Sequence, residues 1–139
     1  MRKSQPISLR LDPSLLREVQ TLAKHLQRPA STLIQTLIEE GIRQRKCPGI
    51  SFTEGPAGRR ATVAGSGVDV WEVIRTFRTC GEDRAALARA LPHLSRPQLD
   101  AALRYARCYP KEIAEWIARA EVAEAEIGDL SPLVRSYPT

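Results

Sequence analysis

The stretch on which the fold turns is "ISLRLDPSLLREV", residues 7–19. Ile7, Ser8, Leu9, Arg10 and Leu11 alternate apolar and polar side chains, the two-residue period of a half-buried strand. Asp12-Pro13 then opens a helix. Asp12 offers a side-chain oxygen to the free N–H groups of the first turn, and Pro13 brings a fixed φ to the first helical position. The strand is short, and no second candidate follows before residue 50. A lone strand leaves its ladder donors and acceptors unpaired, so its partner has to come from elsewhere.

Two helices follow the strand. Leu15, Val19, Leu22 and Leu26, with Leu16 and Ala23 beside them, keep a helical period over residues 13–27. After the break at Arg28-Pro29, Leu33, Ile34, Leu37, Ile38 and Ile42 share one face over residues 30–45. "RQRK" at 43–46 sets cations at the C-terminal end, where the helix dipole favours them. Such a unit, residues 1–46, is too small to bury a stable core alone. Two copies meet both needs. Their strands pair antiparallel, and Ile7, Leu9 and Leu11 of each chain meet the apolar faces of four helices. Each side chain fully buried this way contributes about 1.5–3 kcal/mol. The outer face of the ribbon then presents Ser8 and Arg10 from each chain. A two-stranded ribbon fits the major groove of DNA, where Arg reads guanine and a hydroxyl reads either base type.

The charge distribution agrees with a polyanion partner. The net charge of +5 lies wholly in residues 1–46, which carry nine Lys/Arg against four Asp/Glu, while residues 47–139 carry twelve of each. Residues 47–111 are basic, with ten Lys/Arg against six Asp/Glu, and residues 112–139 are acidic, with two against six. At 42% hydrophobic and 27% charged, the composition is that of an ordinary soluble protein. No apolar run reaches the roughly 20 residues of a membrane helix, so no membrane partner is expected. Pro6, Arg10 and Asp12 interrupt any signal-peptide core, and a cytoplasmic protein is expected. Cys47, Cys80 and Cys108 are odd in number and widely spaced, and read as reduced thiols.

"ISLRLDPSLLREVQTLAKHLQRPASTLIQTLIEEGI" resembles the ribbon–helix–helix repressors of the Arc/MetJ/CopG type, over residues 5–45. The resemblance implies an intertwined dimer that binds double-stranded operator DNA. It places Ser8 and Arg10 against the bases, and Arg28, Ser31 and Thr32 where the second helix's N-terminus clamps a phosphate. Pro6 stands where family members often carry a polar base reader. The reading set is therefore Ser8 and Arg10, supplemented by Gln5 or the arm of Arg2 and Lys3. Pro29 replaces the usual hydroxyl cap, so the clamp leans on Ser31 and Thr32.

Beyond the turn "CPGI" at 47–50, "ISF" and "RRATVA" flank "TEGPAG" and predict a β-hairpin over about residues 50–64. A helix is expected from Asp69 to Gly81, carrying Val70, Val73, Ile74 and Phe77, and a short one over 82–91. Ser95 with Gln98 forms a capping box ahead of Leu99, Ala102, Leu103 and Ala106. Pro110 ends or kinks that helix, residues 111–127 are helical in propensity, and 128–139 read as an unanchored tail. The fold class is therefore mainly α. A ribbon–helix–helix domain (1–46) precedes a hairpin plus helix-turn-helix-like domain (47–113) and a C-terminal helix and tail (114–139). "GRR…GSGVDVWEVI" and "PHLSRPQLDAALRYA" resemble the domain-of-unknown-function family 433, over about residues 48–113. Members are small helix-turn-helix-like domains frequently encoded beside ribonuclease toxins of PIN-like fold. Gly67 stands where that family usually shows arginine, and Arg60 where proline is common. Arg96, Arg104 and Arg107 either read DNA a second time or solvate a helix packed through Leu99, Leu103 and Ala106.

No phosphate loop, dinucleotide fingerprint, metalloprotease helix or nucleophile elbow is present. His25 and His93 are far apart, and Glu121, Glu124, Glu126 and Asp129 read as a solvated helix face. No enzyme, cofactor or metal site is expected. The reading that joins the two resemblances is an antitoxin that represses its own operon. Its homodimer, or a higher even oligomer, binds the operator, and its C-terminal half binds a PIN-like ribonuclease toxin. Residues 111–139 are the expected toxin-binding segment, with Ile113, Trp116, Ile117, Leu130 and Leu133 offered to a groove and Arg135 entering an acidic toxin site. The alternative is a stand-alone repressor whose second domain binds a ligand or further DNA.

Overall fold

The structure, a computed structural model, describes residues 4–135 and side chains as far as Asp129. The chain divides into two compact units, Met1–Arg43 and Gln44–Thr139. Among the described residues there are six helices and one antiparallel hairpin, so the architecture is mainly α.

In the first unit, α1 (Pro13–His25) begins as the sequence dictates. Asp12 is the N-cap, its carboxylate accepts from the Ser14 N–H at 3.5 Å, and Pro13 occupies the first turn. Its end is less obvious. Gln27 takes φ 55°, which lets the Arg28 N–H reach the Ala23 carbonyl at 2.9 Å and the Gln27 N–H that of Lys24 at 3.2 Å. This is a Schellman closure on a residue other than glycine. α2 (Ala30–Lys46) follows Pro29 and runs on past the end of the unit. The core here is small: Val19, Ala23 and Leu33 are buried, with Leu11, Leu26, Ala30 and Ile34 packed against them. The expected strand at 7–11 does not form within one chain; residues 4–12 hold no helix or strand. A strand is defined by its ladder, and among the described residues the first unit supplies no second strand to pair with it.

The second unit is built around α3 (Val70–Thr79). It packs against β2, α4, α5 and α6 through Val70, Val73 and Ile74. The hairpin β1 (Ile50–Gly55) and β2 (Gly58–Val63) pairs Ile50 with Val63 and closes at Gly55 and Gly58. α4 (Arg84–Ala90) seats Leu87 in the core, and α5 (Arg96–Cys108) adds Leu99, Ala102 and Tyr105. The capping box holds: the Ser95 Oγ accepts from the Gln98 N–H at 3.3 Å, and the Gln98 side chain accepts from the Ser95 N–H at 2.8 Å. Gly49, at φ 90°, lets α5 approach; a Cβ there would lie 3.1 Å from that of Ala101.

Tyr105 is the centre of this core. It is fully buried, its ring meets Phe52 edge-on at 6.3 Å and Tyr109 at 4.8 Å, and its hydroxyl donates to Glu112 at 2.5 Å. Tyr105→Ala removes all of this, and by the cost of emptying an aromatic core site it destabilises the unit by about 3–5 kcal/mol. Urea denaturation followed by circular dichroism measures the loss.

Two expectations are corrected in α6 (Pro110–Arg135). The helix does not stop near residue 127; its backbone continues to Arg135 through Gly128 and Pro132. Ile113 and Ile117, expected to be offered to a partner, are instead buried in the core of this unit. Their i, i+4 spacing marked one apolar face, and α3 and α5 already cover it.

Candidate nucleic-acid interface and partner surfaces

The first unit presents an unfinished surface. Of the described large apolar residues left exposed, eight lie in it: Ile7, Leu9, Leu15, Leu16, Leu22, Leu37, Ile38 and Ile42. Ile7 is 90% exposed, more than any core residue of a finished domain tolerates. These are largely the positions that the helical and strand periods assign to a core. The amphipathic pattern is thus real, and one copy of the chain leaves it uncovered.

The basic and hydroxyl side chains lie on the same unit. Ser8 and Arg10 are exposed on the irregular N-terminal segment, together with Gln5. Arg28 is exposed at the end of α1, and Ser31 and Thr32 are exposed in the first turn of α2. A helix N-terminus with short hydroxyl side chains suits a phosphate, because free N–H groups and the helix dipole point at it. Arg2 and Lys3 lie outside the described residues.

In the second unit, Arg96, Arg104 and Arg107 are all exposed on α5, while Leu99 is buried and Leu103 and Ala106 pack against the core. Trp116 is half-buried, with the Arg119 guanidinium 4.9 Å above its ring. The side chains of Leu130, Leu133 and Arg135 lie outside the described residues. Among the described residues no helix is long and apolar enough to cross a membrane, and no three His, Cys, Asp or Glu converge on a metal site.

The structure also gathers groups that the sequence left apart. Asp69 is buried and accepts from Arg60 Nε at 2.7 Å and from Trp71 Nε1 at 3.0 Å. This clamp ties β2 to the start of α3. It also explains Arg60: its guanidinium neutralises a buried carboxylate. Burial, reinforced by the Asp69 charge, pushes the Glu72 carboxyl upward from its ordinary value. Gly67 takes φ 70°, in the left-handed region where glycine is at ease.

Cys47 is fully buried at the foot of α2, beside Cys108 at the end of α5. Burial first, then the hydrogen bond and charge of Cys108, push its thiol from 9.0 up to about 11. The folded protein therefore holds this proton more tightly than the unfolded chain does. The resulting stabilisation is complete below pH 9 and fades as pH rises towards 11. With iodoacetamide at pH 8, Cys47 is expected to stay unmodified until the protein unfolds; rapid carboxamidomethylation of Cys47 in the native protein, read by peptide mass spectrometry, contradicts that protection.

No curated protein and no solved structure matches the chain. A protein-family match covers residues 50–106, from β1 almost to the end of α5, and does not extend to residues 5–45. Over that stretch the second unit is similar to the family described as "Protein of unknown function (DUF433)".

Proposed function

We propose that this protein is a cytoplasmic antitoxin that dimerises through a ribbon–helix–helix head, represses its own operon and neutralises a PIN-like ribonuclease toxin. The observation that carries the DNA-binding part is the uncovered apolar face of the first unit, eight large side chains on a segment that also bears the whole net charge. A second copy covers that face and pairs the strand at 7–11. The paired ribbon sets two Ser8 and two Arg10 side chains against base edges, and Arg28, Ser31 and Thr32 hold the flanking phosphates. Phosphate neutralisation supplies most of the affinity and makes it fall with salt.

The toxin part rests on the resemblance of the second unit to a family encoded beside such toxins. With Ile113 and Ile117 buried, the contact set contracts to the edge of Trp116 and the end of α6, with Leu130, Leu133 and Arg135. That same burial favours the second reading, a repressor without a toxin partner.

One assay tests the DNA binding common to both, and a second separates them. Fluorescence anisotropy on duplexes from the gene's own upstream region should give a preference over random duplex of at least about 10³-fold. Equal affinity for both removes the repressor reading. Coexpression with the neighbouring open reading frame should yield a copurifying complex that a truncation after residue 120 no longer forms. A complex that survives the truncation moves the toxin contacts off residues 121–139.

A further inference from the structure

The second unit holds a groove of about 600 Å³ between α3, the start of α4 and α5. Its floor is apolar, made by Ile74, Phe77, Leu103 and Ala106, and its rim carries Arg78, Arg104 and Arg107. All three arginines are exposed. Arg84, also on the rim, is paired with Asp100. An apolar floor between cations fits an acidic amphipathic helix. Its rim is mixed in charge, with Glu82 and the Arg84–Asp100 pair beside the three arginines, and its floor is apolar, which suits a helix with an apolar residue between charges better than a phosphate backbone.

This chain carries an acidic helical segment with an exposed valine among its carboxylates. Beyond Ile117, α6 turns acidic and stays exposed from Glu121 to Asp129. Val122, Glu126 and Asp129 follow at i, i+4 and i+7, one face with an apolar residue beside two carboxylates. Val122 is 59% exposed. Glu124, on another face, is already held by Arg75 of its own chain. Among the described residues, Val122, Glu126 and Asp129 are all exposed. Their face does not reach the groove of its own chain: Pro110 lines that groove, and Glu126 lies about 24 Å further along a continuous helix.

We infer that the Val122–Glu126–Asp129 face of α6 docks in the arginine-rimmed groove of a second copy. The charges match at the scale of whole segments: residues 47–111 carry ten Lys/Arg against six Asp/Glu, and residues 112–129 carry one against six. This contact lies wholly in the second unit and is independent of the head. It adds one association step to whatever the head provides, and exchange between two copies closes it as a symmetric pair.

Sedimentation equilibrium of the full chain tests it. The wild type should show, beside any step the head provides, an association step that weakens sharply between 50 and 500 mM salt, as screening of exposed charges requires. Arg104→Glu with Arg107→Glu should weaken that step about 100-fold and leave the other intact, and Glu126→Lys with Asp129→Lys should do the same. An equimolar mixture of the two double variants restores charge complementarity and should restore the step. Association unchanged by either variant, or a mixture that does not recover, overturns the inference. Loss of DNA affinity in the arginine variant with unchanged association also overturns it, and assigns the groove to nucleic acid.

Discussion

Leu37→Asp is expected to leave the head monomeric at concentrations where the wild-type head is paired. Leu37 sits on the apolar face of α2 and is 42% exposed in a single chain. The proposed dimer would cover the exposed two-fifths of it in each copy, which at about 1.5–3 kcal/mol per fully covered side chain contributes about 0.6–1.3 kcal/mol. Symmetry counts the loss twice, about 1.3–2.5 kcal/mol, which raises the dissociation constant about 10- to 70-fold. Desolvating an aspartate at the same place adds to the cost. Sedimentation reads the change directly, and circular dichroism should show the second unit still folded, since its core is separate. An unaltered head-to-head dissociation constant means that this face is not the dimer interface.

The second large effect concerns Arg10. Arg10→Ala is expected to reduce discrimination between operator and mismatched duplex by about 1–3 kcal/mol for each base that the guanidinium no longer reads, once per half-site. Affinity for random duplex changes far less, because phosphate contacts elsewhere supply it. Ser31→Ala with Thr32→Ala should do the reverse. It is expected to weaken operator and random duplex together, since the proposed role of the start of α2 is to hold backbone without reading a base. Competition binding at fixed salt separates the patterns. If Arg10→Ala preserves the operator preference, the ribbon is not the reader.

Local chemistry was legible in the sequence. Asp12-Pro13 and the Ser95–Gln98 box start helices where expected, because an N-cap needs only its own first turn. The hairpin and the span of α3 were legible for the same reason: turn residues and apolar period agree. Gln27 was not, because nothing in a glutamine announces a left-handed φ. The Arg60–Asp69–Trp71 clamp joins residues across a hairpin and a turn, and spacing alone does not pair them.

The candidate surfaces carry the sharper lesson. Periodicity says that a face needs cover, and it does not say what covers it. Ile113 and Ile117 share a face with the same pattern as Leu37, Ile38 and Ile42. In α6 the cover is the chain's own α3 and α5, and in α2 it is missing. Only the packed structure tells an internal face from one that awaits another molecule.

Amide hydrogen exchange at residues 7–11, followed by NMR across protein concentrations, tests the pairing of the N-terminal strand most directly. The antiparallel ribbon predicts protection of the alternate amides that point into the ladder, rising and falling with the dimer population. Free, random-coil exchange at all five amides in a protein shown to be dimeric would contradict it.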